Sequence, residues 1–259
     1  MSNIIAIALK DLKMYFSSVI GYVVVGVFAI LSGYFFSMMI AQFSLVSIQI
    51  AQQPELGTGF NLTDAILPPL FGNAAMILLF MIPMLTMRSL SEEKKEGTIE
   101  LLYTYPVTDI QIVLGKFIAL LGFVAFMLVP LLLQPLILVF IGGAFALKTF
   151  FVCVCGLYLL GIAFSALGLF ISSLTENQII SVTLTFASLL LFWLIGWAAG
   201  MVPKDIAPIF THLAIMDHFS SFAQGIIDSQ DVLFYVLFIV FFLFCTLRSL
   251  ESRKWRGVQ

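Results

Sequence analysis

The chain has 259 residues, 61% of them hydrophobic and only 10% charged, and its mean hydropathy is +1.12. A water-soluble fold of this length has too little interior to hide that much apolar surface, so lipid is the solvent for most of it. The net charge of −2 resides in a few groups at segment ends and offers nothing for nucleic acid to bind.

In chain order, residues 1–18 form the first element. Ile5, Ala8, Leu9, Leu12 and Phe16 recur at helical spacing while Lys10 and Lys13 face elsewhere, which predicts an amphipathic helix lying in the membrane interface. Ser17, Ser18 and Gly21 allow a bend after it. The apolar run that follows lacks a small-residue cleavage site and reads as a retained span rather than a signal peptide. Six stretches reach the roughly 20 residues a spanning helix needs: 19–41, 70–88, 113–141, 149–173, 179–201 and 231–249. The expectation is an all-α polytopic membrane protein forming a single transmembrane domain over 1–259.

Basic residues orient it. With six spans one side carries Lys10, Lys13, Arg88, Lys94, Lys95, Lys116, Arg248, Arg253, Lys254 and Arg256, and the other only Lys148 and Lys204. Both termini and the charged segment after the second span are therefore expected in the cytoplasm. Two segments face outward: 42–69, read as a loop containing Pro54, Pro68 and Pro69, and 202–230, read as a re-entrant or lid segment. In the latter, Phe219, Phe222, Ala223, Ile226 and Ile227 form an apolar stripe. His212 and His218 also lie there, without a Cys or carboxylate placed beside both, so no metal site is expected. Cys153, Cys155 and Cys245 sit inside apolar runs and read as small buried residues.

The spans carry no ionisable group away from their ends, which disfavours a proton- or ion-coupled carrier, a channel and an intramembrane hydrolase. No Gly-x-x-x-x-Gly-Lys-Ser/Thr string occurs, so the chain is expected to have no catalytic residues and to bind no cofactor or metal. Small residues repeat at Ala29, Gly33 and Ser37 and at Gly161, Ser165, Gly168 and Ser172, seams that suit packing within one subunit or between two. Pro130, Gln134 and Pro135 predict a kinked third span. Thr183, Thr185 and Ser188, with Gln134, are candidates for a weakly polar translocation path; hydroxyls equally satisfy themselves on the preceding turn.

The polar segment 89–112 is the hairpin that a soluble partner would meet. Glu92, Glu93, Lys94, Lys95 and Glu96 would extend the second span as a solvated helix, Gly97 would turn the chain, and Thr98 would cap a short helix ending before Pro106. On that helix Ile99, Leu102 and Tyr103 share one side and Glu100 and Thr104 the other, a shape that fits a groove.

The strings Ile82-Pro-Met-Leu-Thr-Met-Arg88, Leu90-Ser-Glu-Glu93, Gly97-Thr-Ile-Glu-Leu-Leu102, Tyr105-Pro-Val-Thr-Asp109 and Ile112-Val-Leu-Gly-Lys116 resemble the signature of type-2 ABC exporter permeases, nearest the branch that includes the gliding-motility-associated permease. Leu9-Lys-Asp-Leu-Lys-Met-Tyr-Phe16 resembles that family's interfacial helix, and Ser172-Ser-Leu-Thr-Glu-Asn-Gln178 its second cytoplasmic turn. The resemblance implies a permease subunit in the bacterial inner membrane, paired with an identical or related second permease subunit. Each would dock a separate nucleotide-binding ABC ATPase that holds the ATP and Mg. It further implies that Gly97–Pro106 is the coupling helix: Ile99, Leu102 and Tyr103 insert into the ATPase, Glu92, Glu93, Glu96 and Glu100 meet its basic rim, and Glu176 adds a second contact. A membrane scaffold that recruits a cytosolic protein without transport is the alternative.

Overall fold

The structure is a computed structural model that describes residues 3–52, 62–97, 107–140, 146–201, 203 and 206–256. Among these residues every regular element is a helix: α1 (Asn3–Ser17), α2 (Val19–Gln52), α3 (Leu62–Thr86), α4 (Ser91–Lys95), α5 (Asp109–Met127), α6 (Val129–Phe140), α7 (Leu147–Leu174), α8 (Gln178–Ala199), α9 (Ala207–Leu213), α10 (Ile215–Ala223) and α11 (Ser229–Arg256). Among the described residues six segments are long and apolar enough to cross a membrane: Val19–Gln49, Ile66–Lys95, Asp109–Gln134, Leu147–Leu174, Gln178–Ala198 and Ser229–Ser252.

These spans form an inner and an outer group. In the second, third and fourth, 61%, 61% and 67% of the most apolar window is buried, against 22%, 17% and 22% in the first, fifth and sixth. Helices α3, α5 and α7 therefore make the core, while α2, α8 and α11 present broad apolar faces to lipid or to another subunit. Glycines set the close approaches. A Cβ on Gly168 of α7 would stand 2.3 Å from Thr86 Oγ1 of α3, and one on Gly161 would stand 3.0 Å from Val124 of α5. The Gly161–Ser172 seam thus packs inside the subunit, whereas Gly33 on α2 faces open space.

Helix α1 lies along α5. A Cβ on Gly115 would meet Ile7 at 2.8 Å and one on Gly122 would meet Leu12 at 3.3 Å, so two glycines seven apart on α5 make the groove that receives it. Tyr15 and Phe16 pack their rings on Phe123 at 5.4 and 5.5 Å. The chain turns at Ser18, and Gly21 allows the corner, because a Cβ there would lie 2.1 Å from the Tyr15 carbonyl oxygen.

Several sequence expectations need correction. The residues α1 buries are Ala8, Asp11 and Tyr15, while Ile5 and Leu9 are exposed. The anticipated stripe is therefore divided between a face on α5 and a face outside the bundle. Residues 42–69 are not one loop: α2 continues to Gln52, and Pro68 and Pro69 lie inside α3. Lying past the first turn, each forfeits a hydrogen bond to the carbonyl four residues back and crowds it, so these prolines strain the start of α3. The third span breaks at Leu128, one residue into the turn before Pro130, and continues as α6. In the apolar stripe of α10, Phe219, Phe222 and Ala223 are buried, but Ile226 and Ile227 lie beyond the helix end and are exposed. Gly225, at φ 79°, closes that helix against Thr149. Of the cysteines, Cys153 is buried and Cys155 is exposed.

Candidate functional site

The charged end of the bundle is built on the break between α3 and α4. After Thr86 the chain makes a turn through residues 87–90, and the end of α7 secures it. Ser172 Oγ accepts hydrogen bonds from the backbone N–H groups of Leu90 and Ser91, both at 3.1 Å, and lies 3.0 Å from Ser91 Oγ. Lys94 Nζ donates to the carbonyl of Ser173, and Ser249 Oγ of α11 donates to the same oxygen at 3.3 Å. Two donors from other helices thus satisfy a carbonyl that the end of α7 leaves without an intrahelical partner, and a cation suits the negative end of the helix dipole.

Short α4 is not the fully solvated helix expected from its composition. Ser91 and Lys94 are buried, and only Lys95, Glu96 and Gly97 are exposed. Glu92 pairs with Arg88 of the preceding turn at 3.5 Å, and Arg88 also donates to Ser18 Oγ at the α1–α2 corner (2.9 Å). Glu93 turns inward. Its Oε1 lies 2.8 Å from Lys116 Nζ of α5 and 3.6 Å from Lys10 Nζ of α1. Lys116 Nζ is also 3.1 Å from Asp11 Oδ2 of α1. The side chains of Lys116, Asp11 and Glu93 are only 1%, 2% and 12% exposed, whereas Lys10 is 62% exposed.

These pairs differ in weight. The Lys10 contact is long and solvated, worth at most about 1 kcal/mol. The Lys116 contacts are dry; each charge left water at a cost of several kcal/mol, offset only while all three groups stay together. This makes the cluster specific rather than merely stabilising: any movement that separates α1, α4 and α5 strands a buried charge. Beside it, burial pushes the Tyr15 phenol well above its ordinary range, so that hydroxyl stays neutral at any working pH.

Asp11 and Lys116 were not singled out from sequence. One signal was available: Asp11 falls on the same helical face as Ala8 and Tyr15, at spacings of three and four, on what should be an apolar arc. A charge on such an arc needs a partner, and Lys116 is the nearby span's own cation.

Of the expected partner-facing residues, Thr98, Ile99, Glu100, Leu102, Tyr103 and Pro106 lie outside the described residues. Gly97 takes φ 69°, the left-handed conformation that glycine adopts without strain, so the turn after α4 has the chemistry it needs. Downstream, the chain re-enters the bundle through a reciprocal cap. Thr108 Oγ1 accepts from Gln111 N–H at 3.4 Å, and Gln111 Oε1 accepts from Thr108 N–H at 3.3 Å. Glu176 is exposed in the α7–α8 turn and, with Lys95, Asn177, Gln178 and Ile179, lines a recess of about 410 Å³ on the same end as α4.

The candidate path residues are scattered. Gln134 is on α6, which packs on α2 and α5; Thr183, Thr185 and Ser188 are on α8, which packs on α3, α7, α9 and α10. Thr183 is exposed and donates to the Ile179 carbonyl at 2.9 Å. Thr185 and Gln134 are buried with side-chain oxygens that have no hydrogen-bond partner among the described residues, and Ser188 is half-buried.

Comparison with curated proteins finds none that matches. Residues 5–254 match the family model described as ABC-2 family transporter protein, which covers both the six spans and the charged end. That family comprises the non-catalytic, multi-pass membrane permeases of ABC transporters, which work with a separate ATP-binding subunit. The chain belongs to the ABC-2 family of transporter proteins.

Proposed function

We propose that this permease is the membrane half of an ATP-driven exporter and that α4 is the stem through which a partner ATPase moves it. The observation that carries this reading is the anchoring of a five-residue helix to four other helices at once. It continues from α3, is hydrogen-bonded to the end of α7 through Ser172 and Ser173, and is ion-paired to α1 and α5 through Glu93. A push on the segment following Gly97 would reach three inner helices and α1 together. Such transmission suits a rigid-body switch between two arrangements better than local bending does.

On this reading the ATPase contacts are the exposed Glu96, Gly97 and Glu176 together with residues 98–106, whereas Glu93 and Glu92 position the stem from within. Charges at the rim set orientation and on-rate, and the apolar residues Ile99, Leu102 and Tyr103 supply affinity. ATP and Mg stay on the partner, a second copy or a related permease completes the pair, and the charged end with both termini faces the cytoplasm of a bacterial inner membrane. The hairpin strings support placement beside the gliding-motility-associated permease. Spans rich in Phe and Leu with a few hydroxyl residues favour an amphipathic or lipid-like cargo. The test is co-purification with a P-loop ABC ATPase co-expressed from the same genome, followed by ATPase assays in vesicles. Leu102→Asp should abolish stimulation of ATP hydrolysis while leaving the thermal midpoint of the permease unchanged. Full stimulation by Leu102→Asp would overturn the coupling assignment, and stimulation without net cargo movement would favour the scaffold.

A further inference from the structure

The end of the bundle far from α4 carries a second buried polar arrangement that the proposed mechanism does not use. Helix α7 serves as the ruler. Thr149, near its start, meets Gly225, and Ser172, near its end, meets Ser91. Twenty-three residues of continuous helix separate them by about 35 Å, more than the roughly 30 Å hydrocarbon core. The α9–α10 pair therefore lies across the membrane from the charged end.

There, His218 of α10 bridges three helices. Its Nδ1 lies 2.7 Å from Asp231 Oδ1 in the first turn of α11, and its Nε2 lies 3.2 Å from the backbone carbonyl oxygen of His212 in α9. The ring stacks on Phe234 with centroids 4.0 Å apart and planes at 20°, and the His218 and Asp231 side chains are 13% and 10% exposed. Both ring nitrogens thus face acceptors. A neutral imidazole has one N–H, so with Asp231 ionised one of the two contacts has no proton in it. One further proton on the His218–Asp231 pair gives both contacts a donor and makes the carboxylate contact charge-assisted. Asp231 Oδ2 is buried with no hydrogen-bond partner among the described residues, and none of them brings a second cation to the carboxylate.

Near this end, the other titratable or charged groups on the elements around α10 are His212 on α9, Asp217 on α10, Asp228 before α11, Tyr235 on α11, Lys148, Cys153 and Cys155 on α7, and Asp64 at the start of α3; Lys204, before α9, lies outside the described residues. Asp217 lies against Gly196 of α8, Asp228 caps Gln230, and Tyr235 donates to the Ile215 carbonyl. Among the described residues only Asp231 brings a charge within hydrogen-bonding distance of the imidazole.

We propose that the His218–Asp231 pair is a proton-operated latch that clips the α9–α10 lid to the head of the last span. The clip is complete when the pair carries the extra proton, so it is tightest at acidic pH and loosens as pH rises and the proton leaves. Beneath the lid lies Cys153 of α7, buried, with Sγ 3.4 Å from the Ala223 carbonyl at the end of α10. Lifting α10 uncovers that thiol.

The experiment uses the full chain in lipid nanodiscs with Cys155→Ala and Cys245→Ala, so that Cys153 is the sole reporter. Maleimide labelling rates are measured from about pH 5.5 to 8, the range in which histidine pairs change charge. The intrinsic pH dependence of the thiol cancels when each rate is divided by that of His218→Gln in the same background. The ratio should be about tenfold below one at pH 5.5, as expected for loss of a charge-assisted hydrogen bond, and should approach one at pH 8. Asp231→Asn, which keeps the size of the side chain, should abolish the pH dependence in the same way. His212→Gln should retain it, because only the backbone of that residue takes part. A ratio that does not change with pH, or a pH dependence that follows His212 rather than His218, overturns the latch. ATPase coupling is not measured in this assay, so its outcome is independent of the exporter assignment.

Discussion

Lys116→Met is the most informative perturbation of the charged end. Methionine matches the length of the lysine stem, so packing against α1 changes little while the ammonium disappears. Asp11 Oδ2 and Glu93 Oε1 each lay within 3.1 Å of that nitrogen, so two carboxylates are left facing one another in a site where Asp11 is 2% exposed. Removing one partner of a buried ion pair costs about 3–5 kcal/mol. The lower end applies here, because Glu93 is the more exposed carboxylate and keeps its contact with Lys10. A loss of about 3 kcal/mol in a chain of this size lowers the thermal midpoint by roughly 6–12 °C, readable from tryptophan fluorescence in detergent. Adding Asp11→Asn removes the stranded charge and should recover at least about 1 kcal/mol, a coupling that independent sites would not show. If Lys116→Met unfolds within about 1 °C of the parent, or if Asp11→Asn recovers nothing, the cluster does not hold α1 and α4 in place.

Further outcomes follow from the same packing. Gly168→Ala drives a methyl into Thr86, costing about 1–3 kcal/mol, and the double variant with Thr86→Ala should restore most of it in a thermal-unfolding cycle. Ser172→Ala strands the N–H groups of Leu90 and Ser91, so it should lower stability by about 1–3 kcal/mol and reduce ATPase stimulation more than Ser165→Ala, whose hydroxyl only donates to its own helix at Gly161. Gly33→Leu enters open space and should leave the midpoint of the isolated subunit within about 0.5 kcal/mol; a large loss would show that α2 is packed where the structure leaves it bare.

The six spans were legible in the sequence because hydropathy is a sum over neighbours in the chain, and a membrane imposes that sum directly. The same holds for the corner at Gly21, the break before Pro130 and the turn at Gly97, where one residue's backbone chemistry decides the local path. Tertiary packing decided the rest. Hydropathy cannot tell inner spans from outer ones, since lipid and protein interior are equally apolar; the burial of α3, α5 and α7 appears only once helices are placed side by side. Nor does a linear pattern reveal that Asp11 and Lys116, 105 residues apart, share one site, or that Glu93 points at them rather than at solvent. A charge in a sequence looks solvated by default, and only the approach of α1 to the glycines of α5 removed the water around this one.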